Sequence, residues 1–159
     1  MKKLLLLVFL VLISCEKPTQ FTSEALQEKF TNLNQDEVTF QKILDKHKGK
    51  KILIDVWASW CRDCVVSLQD LKNLQSKNSE VSYVFLSLDR TVHSWEKGID
   101  RFQMQGDHYF MKEGKKGELG DFLNLWWIPR YIVVNELGQI TLFKATKITD
   151  KKILEALKK

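Results

Sequence analysis

The sequence predicts an α/β fold in which parallel and antiparallel strands share one sheet, and three observations carry that prediction. An apolar run at 52–57 (ILIDVW) is followed at once by residues at helical spacing, and a second strand-then-helix pair succeeds it. Near the C-terminus, Tyr131–Val134 and Gln139–Phe143 flank a loop ending in Gly138, which reads as an antiparallel hairpin. Strand, helix, strand, helix implies a parallel pair with a crossover. The 159 residues suffice for one compact domain and hardly for two.

In chain order, Met1-Lys2-Lys3 precede an unbroken apolar run, Leu4–Ile13, closed by the small Ser14 and then Cys15. This is the pattern of a secretory signal peptide. Ten apolar residues are half of the roughly 20 needed to span a bilayer, so 1–14 is expected to be removed rather than to remain as an anchor. Residues 16–23 (EKPTQFTS) are polar and without period, and they read as a flexible tether. The folded domain is then expected over 24–159. Its first part is hard to read, apart from a helix near Thr39–His47 closed by Gly49.

Ile52–Trp57 is hydrophobic enough for a strand covered on both faces. From Cys61, the residues Val65, Leu68, Leu71 and Leu74 mark a helix that Lys77 and Asn78 end. Val81–Leu88 is the next strand, and Val92, Trp95, Ile99 and Phe102 line the next helix. A solvated loop at 112–117, a short helix at Glu118–Leu125, the hairpin, and a last helix capped by Thr149 with Ile148 and Ile153 as a hydrophobic staple complete the order.

The formal charge of +5 includes Lys2 and Lys3; without them 23 basic face 20 acidic side chains. An excess of three, scattered along the chain, gives no basis for a nucleic-acid partner.

Cys61-Arg62-Asp63-Cys64 stands where a buried strand meets a helix. Free N–H groups and the positive end of the helix dipole there favour a thiolate. One helical turn brings both sulfurs within bonding distance, so Cys61 is expected to attack and Cys64 to resolve. Arg62 and Asp63 pull the thiolate in opposite directions. A zinc site would need two further ligands, and the chain offers only His47, His93 and His108 at no metal-like spacing. A copper-holding module using both cysteines and a histidine is the competing reading.

The segment at 51–64, KILIDVWASWCRDC, resembles the active-site segment of the thioredoxin superfamily, with Trp60 directly before the first cysteine and a distant Ile128-Pro129 before a strand. The resemblance implies a thioredoxin fold, a central mixed β-sheet flanked by helices. It implies that Pro129 is the cis-proline facing the disulfide, where an edge without an N–H receives a substrate segment; an ordinary trans proline at a strand start is the alternative. Asp55 resembles the buried carboxylate beneath the resolving cysteine, a general base for Cys64, the alternative being an exposed edge aspartate. Trp60, Trp127 and Ile128 are expected to meet substrate, and Trp126 either joins them or packs in the core. Leu88-Asp89 followed by Trp95, with Ile128–Tyr131 and 135–140, is similar to the TlpA/ResA group of membrane-tethered proteins. Ser67, Gln69 and Asp55 depart from that group's pattern.

Leu12-Ile13-Ser14-Cys15 resembles the lipobox of bacterial lipoproteins, which implies acylation of Cys15 and a 145-residue mature chain. The combined expectation is an exported, lipid-anchored thiol-disulfide oxidoreductase facing the periplasm. It is expected to act as a monomer, without cofactor or resident metal, on protein disulfides or dithiols, fed by an upstream electron donor.

Overall fold

Every residue of Ile52–Trp57 is buried, and this strand lies inside the sheet, paired along both of its edges. The computed structural model describes residues 17–158; the expected leader at 1–14 and Cys15 lie outside them. The elements are α1 (Ser23–Gln27), β1 (Lys29–Asn32), β2 (Glu37–Thr39), α2 (Phe40–Lys46), β3 (Ile52–Trp57), α3 (Arg62–Lys77), β4 (Ser82–Ser87), α4 (Val92–Phe102), β5 (Asp107–Phe110), α5 (Glu118–Phe122), β6 (Arg130–Val134), β7 (Ile140–Ala145) and α6 (Lys151–Lys158).

The strands form one seven-stranded sheet in the order β2-β1-β5-β4-β3-β6-β7. β3, β4 and β5 run parallel, and β6 runs antiparallel to β3 and β7, so the sheet is mixed as expected. The fold is thioredoxin-like. In register, Asp55 lies opposite Tyr131, and Val56 opposite Arg130. Directly opposed residues share a face and neighbours alternate, so Asp55 and Tyr131 face one side of the sheet while Val56 and Arg130 face the other.

The structure adds three strands the sequence did not suggest. β1 and β2 pair with each other, and β1 extends the sheet beyond β5. Their alternation is short, and Phe30 is the one buried residue of the seven. β5 holds only four residues and follows Gly106, whose φ of +139° and approach to the Tyr83 carbonyl leave no room for a Cβ. The helix expected to Leu125 stops at Phe122, because Asn124 takes a left-handed conformation. The last helix is capped by Asp150 rather than Thr149: Asp150 Oδ1 accepts from Lys152 N at 3.0 Å. Ile148 and Ile153 are both buried nonetheless.

Residues 19–23, expected in the tether, lie against the domain. The Thr19 carbonyl accepts from Ile140 N at 2.8 Å. Phe21 is buried and packs edge-on against Phe40 and at a tilt against Phe122. Phe21→Ala is therefore expected to lower stability by about 3 kcal/mol in urea unfolding; an unchanged midpoint would mean that this segment adds nothing to the domain.

Candidate active site

The site is built at the C-terminal end of β3, where the chain turns into α3. Cys61 is the N-cap of α3, and its Sγ accepts from Cys64 N at 3.2 Å. Sulfur thus occupies the position of a capping oxygen, in contact with an N–H that would otherwise lack a partner. The two cysteines are joined in a disulfide with Cα atoms 5.3 Å apart. Cys64 is sealed at 1% exposure and Cys61 keeps 7%, so an attacking group reaches Cys61 first.

The turn that presents Cys61 is held from behind by Asp89, just beyond β4. Its carboxyl group accepts from Ser59 N (3.1 and 3.2 Å), Ser59 Oγ (2.7 Å) and Ser87 Oγ (2.8 Å). Leu88 N also donates to the Trp57 carbonyl at 2.8 Å. From the other side α4 approaches so closely at Gly98 that a Cβ there would sit 2.6 Å from Ser59 Cβ. The sequence named Asp89 only as part of a resemblance; a polar pair, Ser87 and Asp89, ending an apolar strand was the available signal.

Across from the sulfurs, the Ile128–Pro129 peptide bond is cis, and Cys61 Sγ lies 3.8 Å from the Ile128 carbonyl oxygen. Pro129 thus precedes β6 beside the disulfide. Arg130, directly after it, is wholly buried. Its guanidinium donates to the Leu123 carbonyl at 2.6 Å and the Asn124 carbonyl at 3.5 Å, fixing the end of α5 and the loop that leads to Ile128. Burial lowers its pKa from the usual arginine value. The sequence named Arg130 only as part of a resemblance and gave it no role; an arginine beside an apolar strand was the clue.

Asp55 is 2% exposed, and its Oδ1 has no hydrogen-bond partner. Burial pushes its pKa from 3.8 to about 8. Tyr131 beside it is also held well above the ordinary phenol value, first by burial and then by the Asp55 charge. Tyr131 Oη lies 3.0 Å from Ser67 Oγ, which donates to the Cys64 carbonyl at 2.7 Å. A chain of side chains therefore runs from the face carrying Asp55 to the first turn of α3.

Trp57 is core at 0% exposure, whereas Trp60, Trp126 and Trp127 are exposed. These three, with Cys61, Ile128, Arg62, Asp63 and Lys115, line an open groove of about 370 Å³. Among the described residues no three His, Cys, Asp or Glu side chains gather as a metal site. His108 is buried in a stack on Phe85, and His93 is exposed on α4.

A family model described as thioredoxin-like matches residues 49–140. The chain is 29% identical over 107 residues to the thiol-disulfide oxidoreductase ResA of Oceanobacillus iheyensis, covering 66% of this chain and 53% of that protein. It is 27% identical over 143 residues to the thiol:disulfide interchange protein DsbE of Yersinia pestis, covering 86% and 72%. The solution structure of a protein described as a thiol-disulfide oxidoreductase from Bacteroides vulgatus matches with a TM-score of 0.67 at 31% identity, over 81% of this chain and 82% of that one.

The Asp55 carboxyl sets a pH dependence whose sign follows from its raised pKa. The folded protein keeps a proton that the unfolded chain releases, so this contribution is full below about pH 4 and is lost as pH rises toward 8. Asp55→Asn is expected to flatten the fall of thermal stability between those limits; an unchanged slope would place the titration elsewhere.

Proposed function

This chain belongs to the thioredoxin-like family and is a thiol-disulfide oxidoreductase, and we propose that it reduces disulfides of partner proteins outside the cytoplasm through Cys61 and Cys64. The observation that carries the division of labour is that Cys61 caps α3 and lines the groove while Cys64 is sealed beneath it.

In the reducing cycle the Cys61 thiolate attacks one sulfur of a partner disulfide, and the other partner sulfur leaves as a thiolate. Cys64 then gives its proton to the Asp55 carboxylate and attacks Cys61 Sγ, and the second partner thiolate departs. The product is the Cys61–Cys64 disulfide, which a dithiol donor upstream must reduce before another cycle. Transfer from an ordinary thiol of pKa about 8.5 to a carboxyl at about 8 is nearly balanced, which suits Asp55 as the base. Ser67 carries no charge, so no second carboxylate on α3 competes with it at that position. Pro129, lacking an N–H, and the Ile128 carbonyl offer an edge beside Cys61 for an extended partner segment, while Trp60 and Trp127 supply apolar walls.

The leader-like 1–14 and Cys15 support export and lipid attachment. Thr19 is bonded to Ile140, which lies opposite Val134 at the far end of β6 from Arg130. A lipid on Cys15 would then hold the domain by the end of the sheet opposite the cysteines. Only residues 16–18 would separate it from the docked segment, so the disulfide faces away from the membrane.

Cys61→Ser is expected to abolish reduction of insulin, and Cys64→Ser to accumulate mixed disulfides on Cys61; partners trapped on Cys64 in the Cys61→Ser protein would reverse the roles. The midpoint potential is expected nearer the roughly −270 mV of reducing dithiols than the roughly −120 mV of strong oxidants. A value at the oxidising end would contradict the proposed direction.

A further inference from the structure

Beyond Trp127, the part of the groove formed by Trp126 and Lys115 serves no step of the cycle. Trp126 is 64% exposed and meets Trp127 edge to face, with ring centroids 6.4 Å apart. Lys144 Nζ sits 5.8 Å from the Trp126 ring centroid, and Lys115 Nζ donates to the Trp126 carbonyl at 3.2 Å. Leaving two indoles in water is unfavourable unless something covers them. Their loop is fastened at its start by Arg130, so covering them costs little ordering.

The charges say what kind of segment fits. Arg62 and Lys115 line the groove and Lys144 stands over its outer indole, against a single acid, Asp63. An ammonium bonded to one carbonyl keeps two N–H groups free for a carboxylate. A lipid surface also suits exposed tryptophan and lysine, but the proposed lipid end of the domain, at Thr19, lies at the opposite end of the sheet. A peptide is therefore the favoured occupant.

We infer that the corner formed by Trp126, Lys115 and Lys144 selects partner segments in which the reacting cysteine has an aromatic neighbour and an acidic neighbour. This rests on the oxidoreductase reading and adds to it the chemistry of the partner. An aromatic side chain lies against the indoles, an acidic one meets the lysines, and the cysteine between them is left over Cys61.

Two peptides test it, Ala-Phe-Cys-Glu-Ala and Ala-Ser-Cys-Lys-Ala, each presented as a mixed disulfide with 2-mercaptoethanol and reduced by the full domain. The first is expected to react with a kcat/KM about tenfold higher, as an aromatic contact plus a partly screened ion pair allows. Raised salt should shrink the ratio, and so should Trp126→Ala and the double variant Lys115→Glu, Lys144→Glu. Because the readout is a ratio within one protein, a variant that folds poorly does not mimic the effect. Equal rates on the two peptides would overturn the proposal. So would binding to anionic phospholipid vesicles that the same substitutions abolish, if the peptides are not distinguished. Failure of the unsubstituted protein to reduce hydroxyethyl disulfide, which has neither neighbour, would instead strike the oxidoreductase reading beneath it.

Discussion

The sulfur of Cys61 caps the helix that carries Cys64, and the rest of the site is arranged around that contact. A cap is held in place by the residues before it, and here those are a three-residue turn, 58–60, that leaves the end of a strand buried on both faces. Asp89 ties Ser59 to the end of β4, and the missing side chain at Gly98 lets α4 close over the same turn. A turn fastened on both sides keeps the sulfur where the N–H of Cys64 and the helix dipole act on it. Without that fixation the same two cysteines would be ordinary thiols in a loop.

Two buried ionisable groups stand on opposite faces of the sheet at neighbouring rungs of the β3–β6 ladder, and their tasks differ. Asp55 is left without a partner for Oδ1, so no hydrogen bond to that oxygen offsets the burial that raises its pKa. Arg130 is spent on architecture: its guanidinium meets the carbonyls at the end of α5, which carry partial negative charge. No carboxylate lies within 4.0 Å of it among the described residues. It therefore fixes the path of the chain into Ile128 and Pro129, and with it the height of the wall facing Cys61.

The middle of the fold was legible because its physics is local. β3, α3, β4, α4 and the hairpin each announce themselves by burial period or turn chemistry within a short window. β1, β2 and β5 do not, since three or four residues at the side of a sheet are stabilised by neighbours remote in sequence. The docking of 19–23 was hidden for the same reason: a lone Phe21 among polar residues becomes core only once Phe40 and Phe122 are near it. At the site, the cysteines, Trp60 and Pro129 could be read from their spacing and their likeness to a known segment. Asp89, Arg130 and Tyr131 could not, because each acts through an atom that the fold, not the sequence, brings close.

The central claim is that Cys61 is an activated thiolate at the mouth of α3. The pH dependence of alkylation of the reduced protein, read separately for each cysteine by mass spectrometry, tests it most directly. The account predicts that Cys61 reacts first, with a midpoint well below the roughly 8.5 of a free thiol, while Cys64 stays protected. Equal reactivity of the two, or a Cys61 midpoint at or above the free value, would contradict it.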